Sequence, residues 1–440
     1  MEQKTSFIFD TVLAQGAKAD LIVDQRKSLS LKANEGSLEE HSVSSTHVFG
    51  LRVIKDGHVG IAYSEADDQA SLLSMTEQAL TNASFAKQEE FESILDNSAI
   101  LRTDDSLLCP QDDTTIDVKI ETVLKLEDSL LQRDKIKSVP YNGLSEASIQ
   151  RQIFSTAGLN TSIKQSYTSL YAYALAEFDG KNAMEGHGQL SRLHKDFNTQ
   201  EISNIVHQNC LDMLEGSICK SGHYDVIFDN ECQIKIFDTF ALPLSGKAAK
   251  DGINPWREKL DQAVADERLN LSDQPLLLDG FGYELFDAEG TACSTTTIIS
   301  NGSLQNLLHN SSTAKACGVK TTGHATRGPK SSLSVSSHQL VIDAGSTNIS
   351  ELHSGDYIEI TGLSGLHSGA NAISGDFSFG ASGFLCRDGV RQQVLRGITV
   401  AGNFYQMLNR IHCIGDTQHW NWQKSSLMPS IRFAEMSISG

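Results

Sequence analysis

The sequence predicts an α+β fold, in which an amino-terminal antiparallel sheet with helices precedes a β-rich carboxy-terminal domain with a few helices. Three observations carry that prediction. Helix-spaced apolar runs are interleaved with β-branched runs in the first half, and Asp56-Gly57 separates two such runs as a two-residue hairpin turn. Beyond residue 222 the chain is mostly short strands and glycine turns. At 440 residues it is long enough for two domains, each with a sizeable core.

Taken in order, residues 2–16 have helical spacing, with Phe7, Val12 and Leu13 on the buried face and Gly16 as the stop. Strands are expected at 20–25, 28–33, 40–45 and 47–55, the last joined through Asp56-Gly57 to a strand at 58–63. A helix over 67–86 places Ala70, Leu72, Leu73, Met75, Ala79 and Leu80 at helical intervals. The polar stretch 88–113, ending at Cys109-Pro110, reads as a connector. A helix at 115–132, strands near 148–155, 161–178 and 182–191, and a helix at 199–214 complete an amino-terminal domain of residues 1–215. A boundary at 216–222 opens the carboxy-terminal domain, 222–440, with helices expected at 230–242, 251–265 and 402–411.

Composition narrows the functional classes. The formal net charge of -19 repels a phosphate backbone, so nucleic acid is not an expected partner. No stretch approaches the roughly 20 apolar residues that cross a bilayer, and the first residues lack a basic and then apolar leader, so the expectation is a cytoplasmic protein. The eight cysteines form no Cys-x-x-Cys pair and read as free thiols.

The most informative local pattern is Asn230-Glu231-Cys232-Gln233-Ile234-Lys235, opening a helix directly after the apolar strand Tyr224-Asp225-Val226-Ile227-Phe228. A metallopeptidase site on one helix needs two His about a turn apart, so that both imidazoles face one ion. None of the fourteen His is followed by Glu, and no two are three or four residues apart. Assembly from distant His such as His187, His324 or His367 stays open, as does a structural role for each. Asn230 is well suited to cap the helix, Glu231 to sit in its positive first turn, and the Lys235 ammonium cannot coordinate a cation.

Around that helix lie Asp273-Gln274-Pro275, Phe286-Asp287-Ala288-Glu289-Gly290, Thr322-Gly323-His324-Ala325-Thr326-Arg327, Gly375-Asp376-Phe377-Ser378-Phe379-Gly380-Ala381-Ser382-Gly383 and a carboxy-terminal run from Pro429. That ordered set resembles the TldD/PmbA family, in particular its PmbA (TldE) branch, over nearly the whole chain. The resemblance implies a subunit of a two-component cytoplasmic metallopeptidase that degrades or trims unfolded peptides. Zinc is expected in the TldD-type partner, where this helix carries His-Glu-x-x-x-His and a Cys near the carboxy terminus adds a ligand. Here the two His positions read Asn230 and Lys235, Glu231 keeps the position of the general base, and the Cys position falls near Asp416 and Thr417. Cys413 is close enough in sequence to be considered as a displaced ligand. The chain alone is therefore expected to hold no metal and to be catalytically inactive. An older family description speaks of modulating DNA gyrase.

Two other enzyme patterns fail. Pro329 interrupts the phosphate-loop-like run from Gly323 to Ser331 by removing a backbone donor, and Gly362-Leu363-Ser364-Gly365-Leu366 lacks the second glycine of a nucleophile elbow. The dense glycines Gly365, Gly369, Gly375, Gly380 and Gly383 suit either tight turns or the lining of a peptide cleft. Pairing with a TldD-type subunit as a heterodimer, or with itself as a homodimer, is the expected assembly. The alternative from another class is a non-enzymatic peptide-binding or scaffold homodimer.

Overall fold

The computed structural model describes residues 1–96 and 105–440. Its first unit is a six-stranded antiparallel sheet in the order β3-β2-β1-β4-β5-β6, formed by β1 (Lys18–Asn34), β2 (Ser37–Lys55), β3 (His58–Ser64), β4 (Ile136–Ser155), β5 (Asn160–Phe178) and β6 (Lys181–Ser191). Side chains along β1 alternate between two environments, as a pleated strand requires. Leu21 and Val23 pack with α1 (Glu2–Ala14) and α2 (Gln69–Phe85), while Ile22 points the other way, toward Phe286 and Ala288 of the carboxy-terminal half. After the short α3 (Asp105–Leu108), α4 (Ile116–Leu131) and α5 (Thr199–Leu214) cover Leu31, Leu170, Ala172 and Ala174.

The second unit contains β7 (Gly222–Phe228), α6 (Asn230–Thr239), α7 (Gly246–Lys250), β8 (Leu271–Asp273), β9 (Thr296–Ser300), β10 (Ser303–Leu304) and α8 (Ser311–Cys317). It continues with β11 (Ala325–Thr326), β12 (Ser334–Val335), β13 (Leu340–Ile342), β14 (Asp356–Ser364), β15 (Asp376–Arg387), β16 (Val390–Asn403), β17 (Ile411–Trp420) and β18 (Ser426–Ser439). Strands β7, β14, β15, β16 and β18 pair in a ring, because β7 bonds to β14 on one side and to β18 on the other. The core inside and beside that ring includes Val226, Ile234, Phe237, Phe379, Ile398 and Ile431.

The architecture is the α+β arrangement expected, with differences that have local causes. The strands expected at 20–25 and 28–33 are one strand, as are those at 40–45 and 47–55. β4 begins twelve residues before the expected 148, through Pro140 and Gly143, where register shifts against β5 absorb the irregular sequence. Leu13 is 51% exposed, and the first helix buries Thr5, Ile8 and Val12 instead. In the second helix Ala70 and Leu73 face outward while Leu72, Met75 and Ala79 are buried.

Two expected helices do not form as such. Residues 251–265 are turns, because the Asn254 side chain bonds the Pro243 and Ser245 carbonyls and Pro255 follows it. Residues 402–411 begin inside β16 and make only a single turn, Phe404–Met407, capped by Asn403. Part of the expected connector, residues 97–104, lies outside the described residues. Among the described residues, no helix is long and apolar enough to cross a membrane.

The two units meet through a buried ionic cluster. Arg52 on β2 donates to Asp20 on β1 at 2.8 and 2.5 Å and pairs with Glu92 at 2.8 Å. Arg327, inside the phosphate-loop-like run, reaches across to the other Asp20 oxygen. Burial works to raise the Asp20 pKa, but the charges of Arg327 and Arg52 outweigh it and hold the carboxyl below its usual value.

Candidate functional site

Helix α6 begins where β7 ends, and its cap is Asp229, one residue before the Asn230 that the sequence suggested. The Asp229 carboxylate accepts from the Cys232 amide at 2.7 Å, and burial pushes its pKa up to about 6 against that bond. Asn230 is thus the first helical residue, and its side-chain amide donates to the His419 carbonyl at 3.3 Å. Gln233, 1% exposed, fixes the helix to β18 by donating to the Pro429 carbonyl and accepting from the Ile431 amide. With one face so anchored, Glu231 and Lys235, four residues apart, both face a cleft of about 1050 Å³ between the two units.

The opposite wall is β6, an edge strand of the amino-terminal sheet. Glu185, Gly186, His187 and Gly188 line the cleft from it. Gly186 and Gly188 stand opposite Tyr173 and Tyr171 of β5, and a Cβ on Gly186 would lie 2.2 Å from the Tyr173 ring. Gly186 therefore leaves room for the Tyr173 ring over the strand. Trp422, in the turn between β17 and β18, passes 3.3 Å from the position of a Gly188 Cβ, and its amide donates to Glu231 at 2.6 Å.

Burial raises the Glu231 carboxyl, opposed by the Trp422 amide and by Lys235. It likewise raises Glu185, opposed by Arg396 and Lys235, and lowers His187, opposed by Glu201.

Of the glycines expected at a cleft, Gly380 lines it, across from Ser364. The others are structural. Gly365 and Gly375 adopt φ of +77° and +86° in turns, Gly369 passes close to the Ser378 carbonyl, and Gly383 lets β15 approach the Glu359 carbonyl of β14. His187 is in the cleft, His324 is fully buried 3.5 Å from Asp273, and His367 is exposed, so the three do not converge. Cys232 is on the buried face of α6, whereas Cys413, Asp416 and Thr417 lie along β17. Glu185, Arg396 and Trp422 carry no local pattern that marks them in the sequence. Alternation does betray the aromatic floor, since Tyr171-x-Tyr173 and Gly186-x-Gly188 occupy matched positions on consecutive strands.

These residues do not fit a zinc ion at α6. The amide of Asn230 is turned to a carbonyl, Lys235 offers an ammonium without a lone pair, and among the described residues no three His, Cys, Asp or Glu converge to hold a metal. The ring of carboxy-terminal strands closes through β7, but β14 pairs with β7 only at Ile358, Glu359 and Ile360, so among the described residues its end, 361–364, lines the cleft with no strand on that side. The edge strand β6 of the amino-terminal sheet borders the same cleft.

Comparison with known proteins matches residues 19–83 to PmbA/TldA metallopeptidase domain 1, 109–214 to the central domain and 221–440 to the C-terminal domain. A metalloprotease PmbA homolog of Haemophilus influenzae is 26% identical, with 100% of this chain and 96% of that protein covered. Metalloprotease PmbA of Escherichia coli O157:H7 is 24% identical over the same shares. Among solved structures, a Thermotoga maritima protein described as a modulator of a DNA gyrase superposes with a TM-score of 0.89 at 22% identity over 100% of both chains. TldE from Thermococcus kodakarensis gives 0.87 at 19% identity, covering 99% of this chain and 100% of that one.

Proposed function

The chain belongs to the PmbA/TldD metallopeptidase family, and from that premise we propose that it is a TldE-type subunit without a metal of its own, which helps a zinc-bearing TldD-type partner process unfolded peptides. The observation that carries this reading is α6, which faces the cleft with Glu231 and Lys235. Without a bound cation a water keeps a pKa near 15.7, so Glu231 alone cannot make it a useful nucleophile. Its contact is with the Trp422 amide, which ties the cleft wall together.

The work left to this subunit is to hold substrate. A cleft of about 1050 Å³ beside an edge strand accepts an extended peptide by main-chain hydrogen bonds, with little dependence on sequence. Broad acceptance of unfolded chains follows. The setting expected for this work is the cytoplasm.

The test is co-expression with a sister chain that keeps His-Glu-x-x-x-His. The expected result is a heterodimer with zinc in the sister chain and peptidase activity greater than that of either chain alone, measured by light scattering, metal analysis and peptide hydrolysis. A chain that stays apart from the sister, leaves its activity unchanged and pairs only with itself supports the scaffold reading instead.

A further inference from the structure

Five carboxylates and three cations line the cleft, and most of them are committed. Glu359 holds Arg391 at 3.0 Å, Arg396 donates to the Asn182 and Met213 carbonyls, and Asp229 caps α6. Asp212 stands 4.0 Å from the same Arg391 and accepts from Gln208. Glu231 uses one oxygen on the Trp422 amide. What remains is the Glu185 carboxylate, half-buried at the edge strand, and the exposed Lys235 ammonium, neither of which has a hydrogen bond or ion pair among the described residues.

Glu185 feels the charge of Arg396 first and of Lys235 second, both lining the same cleft, yet among the described residues it forms an ion pair with neither. A half-buried carboxylate without a partner is costly, and the cleft as a whole carries an excess of negative charge. Glu185 also stands where side chains of a strand added to β6 would arrive, since directly opposed residues on neighbouring strands bring their Cβ atoms to about 5 Å and opposite charges there attract.

We propose that Glu185 forms a subsite for one cationic nitrogen group of a bound peptide, with Lys235 as the internal cation that the peptide displaces. This rests on the reading of the cleft as a peptide site and adds a preference to it. The ligand chemistry is an ammonium or guanidinium, supplied either by a Lys or Arg side chain or by a free amino terminus. Arg396 is tied to two carbonyls, so removing Lys235 takes away the competing charge that is free to move, whereas removing the Glu185 charge takes away the partner.

The experiment is titration calorimetry on the full chain with three peptides of one length. One is blocked at both ends and carries a central Lys, one replaces that Lys by norleucine, and one has norleucine with a free amino terminus. The blocked Lys peptide should bind about tenfold tighter than its norleucine counterpart, the size of one charge-assisted hydrogen bond. Glu185→Gln, which keeps the shape of the side chain, should abolish that difference. Lys235→Met should widen the difference.

If the unblocked norleucine peptide binds as tightly as the Lys peptide, the cation is the amino terminus. Equal binding of all three peptides, unaltered by either substitution, overturns the cationic subsite while leaving the peptide cleft intact. Binding of none of them, by the parent or by Lys235→Met, overturns the cleft reading itself.

Discussion

Asp229 is the residue at which the local physics of α6 is most exposed to measurement. Its folded pKa of about 6 lies above the value of roughly 3.9 for an unfolded aspartate, so between those values the folded chain keeps a proton that the unfolded chain has released. Stability from this site is therefore present below about pH 4, declines as pH rises to about 6, and stays lowered above that. Asn caps helices as well as Asp, so Asp229→Asn should keep the cap and remove the decline. At pH 7 the variant is expected to be about 1–3 kcal/mol more stable than the parent, and at pH 4 equal to it. Urea unfolding at both pH values checks this, and a difference independent of pH would sink it. At this scale the sequence was a partial guide. Glu231 was legible as a first-turn acid and Lys235 as an ammonium in place of a ligand, but the cap was placed one residue late because Asp and Asn stand side by side. Glu185 and Trp422 come to the same cleft from positions far from α6, and no local signal brings them together.

Among the elements, the approach of β14 to β15 leaves no room for a side chain at one position. A Cβ at Gly383 would lie 1.9 Å from the Glu359 carbonyl oxygen, which belongs to the backbone and cannot swing aside. At Gly380 the nearest atom is instead the Ser364 hydroxyl, a group free to rotate. Gly383→Ala should therefore destabilise the chain by about 1–3 kcal/mol by forcing the strands apart, and Gly380→Ala by distinctly less. Thermal unfolding of the two variants side by side decides it, and equal melting temperatures would count against the close approach. Long amphipathic helices were legible because their period is carried by many residues, as in α5, whose bounds match the spacing from Thr199 to Leu214. Residues 251–265 misled because apolar spacing says nothing about the Asn254 side chain, which ties down carbonyls that a helix would leave free.

For the molecule as a whole, the joint between the two units is ionic at its centre. Asp20 accepts from Arg52 on its own sheet and from Arg327 of the other unit, while Arg327 Nε and Nη1 find no acceptor among the described residues. Removing the carboxylate leaves two buried guanidinium groups without their shared partner. Asp20→Ala should lower stability by about 3–5 kcal/mol and let the two units unfold at separate temperatures in calorimetry. Because the folded pKa of Asp20 is lowered, its contribution is present above the unfolded value and is lost as pH falls through the folded one. Equal melting behaviour of parent and variant at neutral pH would show that the joint rests on apolar contacts alone. The joint between the two sheets was not legible in the sequence, since Asp20 and Arg327 are 307 residues apart.

The position of β18 also says something about how the chain comes into being. This last strand bonds to β7, β13, β16 and β17, so the ring of the carboxy-terminal unit has a gap until it arrives. Synthesis runs from the amino terminus and domains generally fold as units in that order, which lets the first sheet, complete at Ser191, fold while the ribosome is still at work. Until Ser439 has left the exit tunnel the apolar strands of the second unit lack the neighbour that joins them, and during that interval they are the part of the nascent chain most in need of a chaperone.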